Sequence, residues 1–120
     1  VKRKQNLREK GSHYERIAGA YLKERGYEIL EYNFRCPYGE IDIVARDGSC
    51  LVFCEVKYRK GENAVRPLEA VDSRKQKRIS MAALFYIARH NITSEPCRFD
   101  VVGISGEKVM LIQNAFEYGG

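Results

Sequence analysis

Apolar and polar positions alternate along the chain in two periods, and the changes of period mark seven elements. Tyr14, Ile17, Ala18, Tyr21 and Leu22 recur at the three- and four-residue spacing of a single helix face. Ser12 stands where an N-cap is expected, Glu15 follows three positions later as in a capping box, and Gly26 supplies a stop. Strand-like runs then cover residues 27–34, 40–46 and 49–59, separated by the turn Cys36-Pro37-Tyr38-Gly39 and the hairpin signal Asp47-Gly48. A polar loop opens at Lys60-Gly61-Glu62-Asn63 and ends near Pro67. A second helix is predicted from Asp72 or Ser73 to His90, with Ile79, Ala82, Ala83, Tyr86 and Ile87 as its apolar stripe and Asn91 ending it. Thr93-Ser94-Glu95-Pro96 connects it to strands at 99–104 and 108–112. The order α-β-β-β-α-β-β predicts an α/β sandwich. Neither Gly-x-Gly-x-x-Gly nor a Gly-Lys-Ser/Thr phosphate loop occurs, which excludes the common nucleotide-binding fingerprints.

A length of 120 residues suits one core, so residues 11–120 read as one domain behind a flexible basic segment, 1–10. No apolar run approaches the roughly 20 residues of a membrane helix, and no apolar stretch follows the basic start as in a secretory signal. A cytoplasmic protein without membrane contact is the expectation. Cys36, Cys50, Cys54 and Cys97 contain no Cys-x-x-Cys pair and read as small buried hydrophobes. His13 and His90 read as surface residues. The formal charge of +5 favours an anionic partner without specifying one.

Charged residues inside the apolar strands change the picture. Glu40 and Asp42 lie on one arm of the hairpin, and Glu55 and Lys57 on the other. Side chains two apart share a face, so Glu55 and Lys57 point the same way. A hairpin centred on Asp47-Gly48 puts Glu40 opposite Glu55 and Asp42 diagonal to it. Asp42 and Glu55 offer two hard oxygen ligands suited to Mg²⁺ or Mn²⁺, the Val56 carbonyl offers a third, and Glu40 is a secondary candidate. Lys57 would hold an attacking water and offset charge on phosphorus-bound oxygens. Glu15, on the buried side of the first helix, would ligate a second ion or hold its waters. Gly19 would let that helix approach the sheet closely. An unpaired carboxylate in such a strand is costly without a compensating cation. Lys75, Arg74, Lys77 and Arg78 make the start of the second helix basic against the helix dipole, for which phosphate contact is one reason. Arg59, Lys60 and Arg66 extend that patch.

Several blocks resemble the uncharacterised bacterial YraN-like family (UPF0102 type). They are Gly11-x-x-x-Glu15-x-x-Ala18-x-x-Tyr21-Leu22, Gly39-Glu40-Ile41-Asp42-Ile43-Val44 and Val52-Phe53-Cys54-Glu55-Val56-Lys57-x-Arg59. The likeness continues through Glu69-Ala70-Val71-x-x-x-Lys75, Phe99-Asp100-Val101-Val102 and Asn114-Ala115-Phe116. The resemblance implies a restriction-endonuclease-like fold, a central mixed sheet of about five strands flanked by helices, within the Asp/Glu-x-Lys nuclease superfamily. It also implies distant kinship with archaeal Holliday-junction resolvases. Glu15, Asp42, Glu55 and Lys57 then match the helical Glu, hairpin Asp and Glu-x-Lys pair, and Lys75 matches the lysine of the family's second helix. Tyr14 stands where the family usually has Gly, and Tyr58 where Thr is common.

The expected activity is Mg²⁺-dependent hydrolysis of DNA phosphodiesters, with branched DNA as a candidate substrate and a symmetric homodimer as the arrangement that the resolvase likeness suggests. The alternatives are a nucleic-acid-binding protein, or a scaffold, that keeps a nuclease fold without catalysis.

Overall fold

The computed structural model describes residues 2–59 and 71–118, with side chains from residue 13 onward. Helix α1 (Lys2–Glu24) is followed by β1 (Glu28–Cys36), β2 (Gly39–Asp47) and β3 (Cys50–Arg59), then by α2 (Ser73–Arg89), β4 (Cys97–Ser105) and β5 (Lys108–Phe116). The predicted order is therefore present.

One boundary differs. Helix α1 reaches back to Lys2, so Ser12 lies inside it rather than at its cap, and Glu15 is a mid-helix residue rather than a capping-box partner. Residues 2–9 are mostly good helix formers with no apolar stripe, and propensity carries the helix where periodicity has nothing to read. Both helices end in the same motif. Gly26 at φ 91° lets Tyr27 N donate to Leu22 O at 3.0 Å, and Asn91 at φ 52° lets Ile92 N donate to Ile87 O at 3.0 Å. Asp72 is the N-cap of α2, accepting from Lys75 N at 2.8 Å.

The five strands lie in sequence order, antiparallel except for the parallel β3–β4 pair. That parallel pair needs a crossover, which α2 supplies. Helix α2 covers one face, its Ile79, Ala82 and Tyr86 against Val44, Phe53 and Val101. Helix α1 covers the other, its Ala18 and Leu22 against Ile43, Cys54 and Val102. Cover on both faces explains why Leu51 to Cys54 are apolar without alternation and are all buried.

The β2–β3 turn is Gly48-Ser49, with Gly48 at φ 60° and Asp47 paired to Cys50. Asp47 is thus a strand residue and not the first residue of the loop, as an Asp-Gly turn would make it. The register moves by two positions, which preserves the faces and places Asp42 rather than Glu40 opposite Glu55. Glu40 is exposed and pairs with Arg35 at 3.2 Å, and its charge helps to raise the Glu15 carboxyl. All four cysteines are free, but only Cys54 is buried; Cys36 and Cys50 are half-buried and Cys97 is exposed near the start of β4. His13 and His90 are at the surface.

Gly19 lies against Tyr32, whose hydroxyl occupies the space a β-carbon would take. Arg16 sits over the other parts of that ring, 4.5 Å from its centroid. A Gly19→Ala protein gains about 1 kcal/mol of helix propensity but loses about 1–3 kcal/mol to overpacking. We expect a net loss near 1 kcal/mol in urea unfolding, with the sign reversing in a Tyr32→Ala background.

Away from the carboxylate–lysine strands, Asp100 is fully buried on β4. It accepts from Tyr27 Oη at 2.8 Å, Arg98 Nε at 2.9 Å and Asn114 N at 2.9 Å. Arg98 also reaches Asp47 at 2.9 Å, and Gln113 donates to Tyr27 Oη at 2.8 Å. Burial, reinforced by Asp100, pushes the Tyr27 hydroxyl up to about 12.

Candidate active site: carboxylates and lysines where two strands part

The β2–β3 ladder has its last backbone pair at Ile43 and Cys54. One step further, Asp42 takes over the role of a main-chain acceptor, and its Oδ2 receives Val56 N–H at 2.8 Å. A strand residue presents its N–H and C=O on one side, so the Val56 carbonyl faces the same gap. The neighbouring strand bends at the same level. Asn33 adopts φ 54°, and the side chains beside it leave strict alternation, Tyr32 packing toward α1 and Phe34 toward α2. Ile41 and Ile43 divide in the same way. Asp42 lies at the point where the sheet changes faces.

Glu55 is only 5% exposed, and its Oε1 is 2.7 Å from Lys75 Nζ and 3.5 Å from Lys57 Nζ. Helix α2 delivers Lys75 from its first turn, which gives a cation near a helix N-terminus a reason to be there. Glu15, 8% exposed on α1, accepts from Asn33 Nδ2 at 2.5 Å. Sequence periodicity places Glu15 correctly but passes over Asn33. The available signal is an Asn inside an apolar strand, the residue type that best tolerates a left-handed backbone after glycine.

Burial dominates the electrostatics, and like charge adds to it. Burial first, and the Glu55 charge second, push the Asp42 carboxyl up to about 8, against relief from Val56 N–H. Burial also raises Glu15, partly offset by the Asn33 hydrogen bond. Lys57 is lowered by burial and then by neighbouring Lys75. For Lys75 burial acts downward, but its contacts with Glu55 and Lys57 outweigh it and the ammonium is held above its ordinary range.

A divalent cation fits this donor set. Two carboxylates resist joint ionisation without one, and the Val56 carbonyl supplies a third hard oxygen. Among the described residues no group of three or more His, Cys, Asp or Glu side chains forms a metal cage. Glu15 is held by Asn33, so the set suits a cation that keeps several waters, as Mg²⁺ does.

Of the proposed phosphate contacts, Arg59, Arg74, Lys77 and Arg78 are exposed. Arg78 packs over Gly39 at the start of β2, 3.9 Å from where a β-carbon would stand, so the basic face borders the strand that carries Asp42. Lys60 and Arg66, with Glu69 and Ala70 of the family-like motif, lie outside the described residues. On the α1 side, the Tyr14 and Tyr58 rings stack at 3.9 Å.

Fold and site together define an α/β domain with a mixed sheet, carrying an acidic pair and two lysines where two strands separate. The sequence profile of the uncharacterised protein family UPF0102 matches residues 14–104, and the chain belongs to that family. A UPF0102 protein of Syntrophus aciditrophicus is 50% identical over 117 residues, covering 94% of this chain and 91% of the relative. One of Lachnoclostridium phytofermentans is 47% identical over 116 residues, covering 96% and 98%. Another, of Geobacter metallireducens, is 49% identical over 111 residues, covering 89% and 91%. No described helix is long and apolar enough to cross a membrane.

Proposed function

We propose that this protein is a metal-dependent endonuclease that hydrolyses DNA phosphodiesters, with branched DNA as the favoured class. The observation that carries the reading is the buried Glu55, set opposite Asp42 and touched by both Lys57 and Lys75. A divalent cation, when bound by Asp42 and Glu55 with the Val56 carbonyl, supplies Lewis acidity toward the phosphate and acidifies water. Lys57 Nζ orients the attacking water and neutralises charge that grows on the non-bridging oxygens. Lys75, paired with Glu55 at 2.7 Å, would turn to the phosphate when a cation takes Glu55. Glu15, fixed by Asn33, orders water on the α1 side. The exposed arginines and lysine at the start of α2 grip the phosphate backbone without reading sequence. A symmetric dimer would present two such sites to two strands.

A nucleic-acid-binding protein without hydrolysis is the second reading, favoured by one observation: two lysines already neutralise Glu55 without any metal. To separate the two, Mg²⁺ and Mn²⁺ are titrated against labelled branched, duplex and single-stranded DNA. Metal-dependent cutting that disappears with Asp42→Asn supports the nuclease. Binding with no cutting by either protein transfers support to the second reading, and neither binding nor cutting leaves a scaffold.

A further inference from the structure

The two flanks of the candidate site differ in chemistry. On the α2 flank, Arg74, Lys77 and Arg78 are exposed cations. The α1 flank adds an aromatic pair beside its exposed Arg16. Tyr58 follows Lys57 on β3, so alternation turns it to the face opposite Lys57, the face that α1 covers. Tyr14 precedes Glu15 on α1 and meets it there, the two rings 3.9 Å apart at 19°. His13 stands edge-on to Tyr14 at 5.3 Å. Tyr58 nevertheless keeps 39% of its surface open.

We propose that Tyr58, backed by Tyr14, is a stacking subsite for an unpaired nucleobase beside the scissile phosphate. The substrate class it selects is DNA whose bases are unpaired next to the cut. The proposal deepens the nuclease reading and rests on it.

Three physical points support it. Cations hold a phosphate backbone whether its bases are paired or not, so the α2 flank alone gives no preference. A base within a duplex already has both faces stacked and reaches an aromatic side chain only when displaced. A ring fixed by a stacked neighbour loses little freedom when a base settles on it, so the platform is pre-organised. Because every base has a π-face, such a subsite selects unpairedness and not sequence.

The test is made in the Asp42→Asn protein, which separates binding from cleavage. Affinities are measured by fluorescence anisotropy for two DNAs of equal length, one a continuous duplex and one with three adjacent unpaired nucleotides. The expected result is a preference for the second DNA that falls about 5- to 100-fold with Tyr58→Ala. Tyr58→Trp retains the preference, whereas Tyr58→Leu, which still covers Tyr14 with apolar surface, loses it. Melting temperatures within a few degrees of the parent show that the comparison is between folded proteins. If Tyr58→Leu keeps the full preference, or the parent shows none, the subsite is refuted while the nuclease reading stands on its own cleavage data. If neither DNA binds at all, the subsite is refuted, and the nuclease reading is still decided by metal-dependent cutting.

Discussion

An Asp42→Asn protein is expected to lose about 10³-fold or more of its metal-dependent cleavage and yet to outlast the parent in metal-free buffer at pH 8. Both effects come from the same oxygen atoms. Asparagine still accepts Val56 N–H, so the strand geometry is kept, but it removes half of the anionic charge that draws the cation. In the parent, the Asp42 carboxyl is raised from 3.8 to about 8 by burial and by Glu55. Between those values the folded chain holds a proton that the unfolded chain has released. The contribution of this group to stability is therefore complete below the unfolded value and is lost as pH rises through the folded one. The uncharged amide of the variant has no such slope. The stability difference between variant and parent should grow by about 1–3 kcal/mol from pH 5 to pH 8, an amount held down by the partial exposure of Asp42. Urea midpoints in EDTA at the two pH values measure it, and added Mg²⁺ should narrow the gap by binding the ionised parent. Equal gaps at both values would remove the electrostatic account, and full cleavage by the variant would remove the catalytic one.

Asp100→Ala is expected to cost about 3–5 kcal/mol, the range for breaking a buried charged network by removing one partner. Stability for a domain of this size is only about 5–15 kcal/mol. Asp100 is wholly enclosed and joins Tyr27 after α1, Arg98 on its own strand and the Asn114 amide on β5. Its loss leaves the Arg98 guanidinium with only Asp47 and Tyr27 Oη as acceptors and strips the Tyr27 hydroxyl of the acceptor for its own proton. The guanidinium is held firmly charged, chiefly by its hydrogen bonds to Asp100. Tyr27→Phe, which deletes one hydroxyl, should cost about 1 kcal/mol. Chemical denaturation with an unchanged m-value decides the matter. A penalty under 1 kcal/mol for Asp100→Ala would mean that the network adds little.

Both predictions turn on carboxylates, but the sequence exposes them unequally. Asp42, Glu55 and Lys57 stand out because they interrupt apolar strands at a spacing that alternation converts into a shared face. Lys75 stands out because a cation in the first turn of a helix needs a reason. Register was less accessible, since Asp47-Gly48 and Gly48-Ser49 are both sound two-residue turns and only the strand pairing selects between them. The switch of faces at Asn33 and Asp42 was hidden because periodicity assumes that alternation persists. Asp100 was visible within a family-like block, but its partners at residues 27, 98 and 114 meet only through the order of the strands. The start of α1 escaped for a different reason, because residues 2–9 are helical by propensity and carry no stripe.

The single parallel pair in the sheet has a consequence for the order in which the molecule is made. Asp42 and Val56 are 14 residues apart and meet across a two-residue turn, whereas β3 waits for β4 across the whole crossover. Closing a short loop costs less entropy than closing a long one. On a chain emerging from the ribosome, the acidic half of the site can therefore assemble before Lys75 arrives. The lysines that offset its charge come from the end of β3 and from the next helix. Synthesis thus brings the acidic pair together with Lys57 alone and supplies the second counter-charge, Lys75, afterwards.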